Sequence, residues 1–151
     1  MSLRLDSHEI ELLAALNDCM ARYMVVGGHA AIFHGDLRSA KNIDLWFEPN
    51  DQNARRVARA LRNLTVGANL QPDQIERLAE PGQQMHIDGL GTRLLTSVTG
   101  LEFEKAMARS FRASEQGVPF HVLGLADLIE CERRLAREVD SADIDYPQAN
   151  C

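Results

Sequence analysis

Residues Tyr23 to Trp46 read YMVVGGHAAIFHGDLRSAKNIDLW. The apolar run Met24-Val25-Val26 ends at Gly27-Gly28. A short apolar segment follows, Ala30 to Phe33, then a polar stretch, then a second β-branched and aromatic run from Ile43 to Phe47. Two glycines after a strand let the backbone turn sharply and leave no side chain between it and a ligand. Asn42 and Asp44 are two residues apart, so on a strand they share one face. A glycine turn, a helix and paired polar groups on a neighbouring strand form a layout suited to phosphate and metal.

On the N-terminal side, Asp6 and Glu9 have capping-box spacing. Leu12, Leu13, Leu16 and Met20 recur at helical spacing and predict a helix over 7–20. Tyr23–Val26 is the first strand, His29–His34 a short helix that Gly35 can terminate, and Ile43–Phe47 a strand that stops at Pro49. Asn50 is placed to cap a helix over 51–63 with a core stripe of Ala54, Val57, Ala58, Leu61 and Leu64. Arg55, Arg59 and Arg62 line another face of it. A solvated face accounts for them, and the rival reading is a docking surface for nucleic acid or an acidic partner.

Further on, Pro72–Leu78 predicts a helix with proline at its start. Gln83–Ile87 and Thr92–Val98 predict a hairpin closed by Asp88-Gly89-Leu90-Gly91. Phe103, Ala106 and Met107 mark a helix. Val118–Leu123 reads as a strand, and Pro119 within it argues for an edge position. Leu125, Leu128, Ile129 and Leu135 mark a helix to about Arg137. Asp140 and Asp143 are placed to start a last turn that Pro147 cuts short. There is no internal repeat, low-complexity segment or linker, so residues 1–151 read as one domain of mixed helices and strands, α/β or α+β.

Composition narrows the classes. Hydrophobic residues are 45% and charged residues 25%, the balance of a globular protein able to bury a core. No apolar stretch approaches the ~20 residues that span a bilayer, and the first residues do not resemble a signal peptide. No membrane partner is therefore expected. The 22 acids against 16 bases give a net charge of −6, which disfavours non-specific nucleic-acid binding. Cys19, Cys131 and Cys151 are far apart. They form neither a disulfide framework nor a metal spacing, so a reducing, cytoplasmic location is expected.

With these residues in view, the chain resembles the small nucleotidyltransferases of the DNA polymerase β-like fold, and within them the AbiEii-like and minimal nucleotidyltransferase proteins of bacterial toxin–antitoxin systems. Gly27-Gly28 matches the family's glycine pair. His34-Gly35 and Arg38 match its His-Gly…Arg approach to the metal motif, and Asn42-Ile43-Asp44 occupies the Asp-x-Asp position. Leu94-Leu95-Thr96-Ser97-Val98-Thr99-Gly100-Leu101 is similar to the segment around the third acid. Leu128-Ile129, Arg137, Asp140 and Asp143 resemble its tail. The resemblance implies a nucleotidyltransferase-like mixed β-sheet with flanking helices. It also implies a nucleoside triphosphate facing Gly27, Gly28, Arg38 and Lys41, an Mg²⁺ cofactor, and RNA, a protein or a small molecule as acceptor or partner.

The departures fall on the metal ligands. Asn42 stands where the first acid is expected and Arg93 where the third is, Ala40 replaces a common Thr, and Glu132 a common Lys. Asp44 keeps its place, and Asp88 is the one nearby acid able to substitute. Mg²⁺ requires anionic oxygen ligands, two-metal phosphoryl transfer uses carboxylates to hold the ions, and arginine carries a permanent positive charge. The sequence therefore predicts a degenerate site in which Arg93 pairs with Asp44 in the metal's place. His29 and His34 read as packing or capping residues.

Overall fold

The structure, a computed structural model, describes residues 3–37, 39–65, 68–87, 89–141 and 151. Arg38, Asp88 and Asp143 lie outside the described residues. In chain order the elements are α1 (Ser7–Asp18), β1 (Tyr23–Val26), α2 (Gly27–Phe33), β2 (Asp44–Phe47), α3 (Asp51–Arg62), α4 (Pro72–Leu78), β3 (Gln84–His86), β4 (Arg93–Leu95), α5 (Phe103–Ala108), β5 (Phe111–Glu115), β6 (Val118–Val122) and α6 (Leu125–Ser141).

The strands form one six-stranded mixed sheet in the order β3-β4-β2-β1-β6-β5. Its middle, β1 and β2, comes from the two apolar runs that flank the glycine turn. They pair antiparallel from Tyr23↔Phe47 to Val26↔Asp44. β4 lies parallel to β2 and β6 parallel to β1, so each needs a crossover connection rather than a hairpin. All four residues of β1 are buried, as are Leu45, Trp46 and Phe47 of β2, as expected for central strands covered on both faces. Trp46 meets Phe103 edge-on at 5.2 Å between ring centroids, a favourable aromatic geometry.

Local signals set the helix starts. The Asp6 side chain accepts from the Glu9 amide at 2.8 Å, and Glu9 accepts from the Asp6 amide at 3.1 Å. Asn50 accepts from the Asn53 amide, and α4 begins on Pro72. Helix α1 stops at Asp18. Met20, placed in the apolar stripe by its spacing, instead has φ +59° and is 70% exposed. Helix α2 starts two residues earlier than expected, at Gly27, and α6 runs past Arg137, so the Asp140 backbone is helical rather than the start of a separate turn.

Asn53, on α3, is only 2% exposed. It donates to the Arg22 and Glu48 carbonyls, both at 2.9 Å, and accepts from the Arg22 amide at 2.7 Å. One fully bonded amide thus ties the start of β1 to the end of β2. Such a group specifies the packing strongly because leaving any of its bonds unmade is costly.

Two features correct the sequence expectations. Phe111–Glu115, which the sequence did not mark as a strand, is β5, and it rather than β6 is the edge. Pro119 is tolerated inside the sheet because the β1 register reaches β6 only at Val122, while the Pro119 carbonyl accepts from Asn17 Nδ2 at 2.8 Å. The cysteines are not all free: Cys131 and Cys151 form a disulfide, and among the described cysteines Cys19 is unpaired. The chain path brings together two residues whose spacing gave no sign of it.

No helix among the described residues is long and apolar enough to cross a membrane.

Candidate functional site

At one end of the sheet, four strands contribute successive residues to a single row. Val26 on β1 pairs with Asp44 on β2, Asp44 with Arg93 on β4, and Arg93 with His86 on β3. Directly opposed residues on neighbouring strands project to the same face. Asp44 and Arg93 therefore face each other, and they form a two-pronged ion pair. Arg93 Nη2 donates to Asp44 Oδ2 at 2.9 Å and Arg93 Nε to Oδ1 at 3.1 Å. The side chains are 18% and 19% exposed, so solvent screens the pair little. His86 completes the row and is exposed; the sequence reading did not single it out, and its signal would have been the register of the β3–β4 hairpin.

The glycine turn abuts this pair. Gly27 has φ +68°, and a Cβ on it would overlap Asp44 Oδ2. Two independent constraints thus require glycine there: a left-handed backbone and the space taken by the carboxylate. The Gly27 amide donates to the Cys151 carbonyl at 2.6 Å. Gly28 is required for a different reason. A Cβ there would come 2.9 Å from that of Ala40, so the loop preceding β2 lies directly on α2.

The other predicted site residues separate from this centre. β2 begins at Asp44, so the shared strand face expected for Asn42 and Asp44 does not extend to Asn42, which is exposed and outside the strand. Asn42 sits instead against Gly91, whose Cβ would lie 3.1 Å from Asn42 Oδ1. It lines a cavity of about 170 Å³ with Glu9, Glu11, Leu90 and Thr92. The acids of that cavity are engaged structurally. Glu9 Oε2 accepts from the Ile43 amide at 3.0 Å. Glu11 accepts from the Thr65 amide and hydroxyl, and the amide bond above all holds its carboxyl below the usual range. Lys41 is exposed. Arg38 and Asp88 lie outside the described residues.

His34 Nε2 meets the Leu123 carbonyl at 2.7 Å, a tie between α2 and the end of β6. His29 is 3% exposed, and its Nδ1 has no hydrogen-bond partner among the described residues.

Among the described residues no three His, Cys, Asp or Glu side chains converge as a metal-binding group. Asp44 offers both oxygens to a guanidinium that cannot be deprotonated. This donor set does not fit a hard dication, which needs several anionic or carbonyl oxygens around one point.

The arrangement of sheet, glycine turn and helices has a counterpart among solved structures. It superimposes on the crystal structure of a candidate nucleotidyltransferase (TM1012) from Thermotoga maritima with a TM-score of 0.59. The match covers 87% of this chain and 84% of that one at 12% identity. The chain has a nucleotidyltransferase-like fold. No protein-family model and no curated protein matches the sequence. At 12% identity the likeness speaks for the arrangement of elements and leaves the chemistry to the residues themselves.

Proposed function

We propose that this is a nucleotidyltransferase-fold protein with a degenerate active site, which binds a nucleoside triphosphate weakly and acts by binding, as one component of a bacterial toxin–antitoxin or phage-defence system. The observation that carries this reading is the Asp44–Arg93 fork. In the resemblance set out above, position 93 belongs to a carboxylate that shares a dication with Asp44. An arginine at that register neutralises Asp44 directly and repels Mg²⁺. Gly27 and Gly28 would face the triphosphate, with Lys41 and Arg38 as further cations.

Calorimetric titration with ATP, with and without Mg²⁺, tests the proposal. Weak binding that Mg²⁺ barely improves is expected, because the metal finds few acids to grip. Tight, strictly Mg²⁺-dependent binding would instead favour an active transferase moving a nucleotidyl group to RNA, protein or a small acceptor. No binding under either condition would leave an interaction domain without nucleotide.

A further inference from the structure

Cys131 is on α6 and fully buried, and Cys151 is half-buried against the core. Their disulfide, with Cα atoms 5.8 Å apart, fixes residue 151 beside α2. There the Cys151 carbonyl takes the Gly27 amide at 2.6 Å. That amide opens α2 at the turn whose Cα abuts the Asp44 carboxylate. The disulfide is thus linked through one hydrogen bond to the glycine turn, and through the turn to the ion pair. A phosphate oxygen approaching Gly27 would have to displace the Cys151 carbonyl from its donor.

We propose that the Cys131–Cys151 disulfide is a redox latch: oxidised, it holds the residue-151 carbonyl on the Gly27 amide and covers the glycine turn, and reduced, it releases both. The consequence for nucleotide rests on the reading of Gly27-Gly28 as a phosphate-facing turn. The latch itself does not.

The opening step is thiol–disulfide exchange with a dithiol reductant. One of its thiolates attacks Sγ of Cys151, the half-buried member. The Sγ–Sγ bond breaks, Cys131 leaves as a thiolate and takes up a proton, and a mixed disulfide forms. The second thiol of the reductant attacks that bond and releases Cys151 as a thiol. Two electrons pass to the protein, and the dithiol becomes a disulfide. Closing reverses these steps with a disulfide oxidant. In a glutathione-buffered reducing compartment the latch stands open, and it closes under oxidative stress.

Loss of an amide hydrogen bond is read by exchange of that amide with solvent. The experiment compares the full chain in three forms: oxidised, reduced with dithiothreitol, and Cys151→Ser. Each is followed by NMR amide exchange at Gly27 and titrated with ATP. A thermal melt confirms that each form is folded, and Cys19→Ser serves as a control that keeps the disulfide. Gly27 is expected to be protected in the oxidised form and in oxidised Cys19→Ser. Its exchange should be faster by about tenfold or more in the reduced form and in Cys151→Ser. ATP should bind the latter two several-fold more tightly. Equal Gly27 exchange in folded oxidised and reduced protein overturns the latch, as does a thiol count of three after mild oxidation. Release of Gly27 with no ATP binding in any form upholds the latch and removes the nucleotide reading.

Discussion

Among the described residues two arginine–aspartate forks, Arg109–Asp127 and Arg93–Asp44, differ in what surrounds them. Arg109, capping the end of α5, embraces Asp127 in the first turn of α6 with Nη2–Oδ1 at 2.9 Å and Nε–Oδ2 at 3.0 Å. Arg93 embraces Asp44 with nearly the same distances across two strands. The first pair has one foot in water: the Arg109 side chain is 51% exposed and that of Asp127 8%. Asp127 also lies where the positive end of the α6 dipole favours a carboxylate, and its hydrogen bonds push the Arg109 guanidinium further toward its charged form. In the second pair both partners are about four-fifths covered. Asp44 is wedged between Arg93 and the Gly27 turn, with Arg93 the charge set against it in this row. Identical chemistry is therefore a clamp at a helix junction in one place and, in the other, a covered pair across two strands beside the glycine turn.

That contrast predicts unequal costs. Removing one member of a buried pair strands the other charge, whereas a pair whose arginine is half in water is weaker to begin with. Arg93→Ala should lower the unfolding free energy by about 3 kcal/mol, and Asp44→Ala by a similar amount. Their double mutant should cost clearly less than the sum. Urea denaturation of the four proteins measures this. Additive losses would mean that the two side chains do not depend on each other.

Arg109→Ala should cost clearly less than Arg93→Ala in the same assay, since the α6 dipole still supports Asp127. A loss as large as that of Arg93→Ala would erase the distinction between the two forks.

A smaller effect comes from His121 on β6. His121 bonds Ser110 Oγ through Nδ1 at 3.1 Å. Its pKa is held below the ordinary 6.5 by burial first, then by Arg112 and Arg22. Between the lowered value and 6.5 the unfolded chain binds more protons than the folded one, so stability falls as pH drops through that window. His121→Gln should flatten the slope between pH 7 and the lowered value, seen by denaturation at pH 7.5 and 5.5. An unchanged slope would place the pH dependence elsewhere.

Much of the frame was legible in the sequence because local chemistry and burial agree there. The runs before and after Gly27-Gly28 are central strands with no exposed face to confuse their pattern. Asp6 with Glu9, Asn50 and Pro72 name their helix starts directly. The Asp44–Arg93 contact was legible because a motif position and a strand register gave the same answer. What was missed depends on non-local geometry. Phe111–Glu115 has only Phe111 and Ala113 as apolar residues on an exposed edge, and it is a strand because β6 pairs with it. The available signal was Gln116-Gly117, both at positive φ (+50° and +80°), as a tight hairpin turn requires. Asn42 drifted from the site because the strand begins two residues later than the motif suggests. The Cys131–Cys151 bridge depends on where the chain returns, which no spacing encodes.

Whether Arg93 stands in place of a metal at Asp44 is decided by a melt of Arg93→Asp beside wild type, each in chelator and in excess Mg²⁺. The wild-type Tm should be indifferent to Mg²⁺. The variant should be destabilised in chelator, where two carboxylates crowd one register. Mg²⁺ should then restore that variant by binding its folded state, a gain of about 2.7 kcal/mol at a hundred times the dissociation constant. A wild-type Tm that rises with Mg²⁺, or an Arg93→Asp variant that ignores the ion, would contradict that replacement.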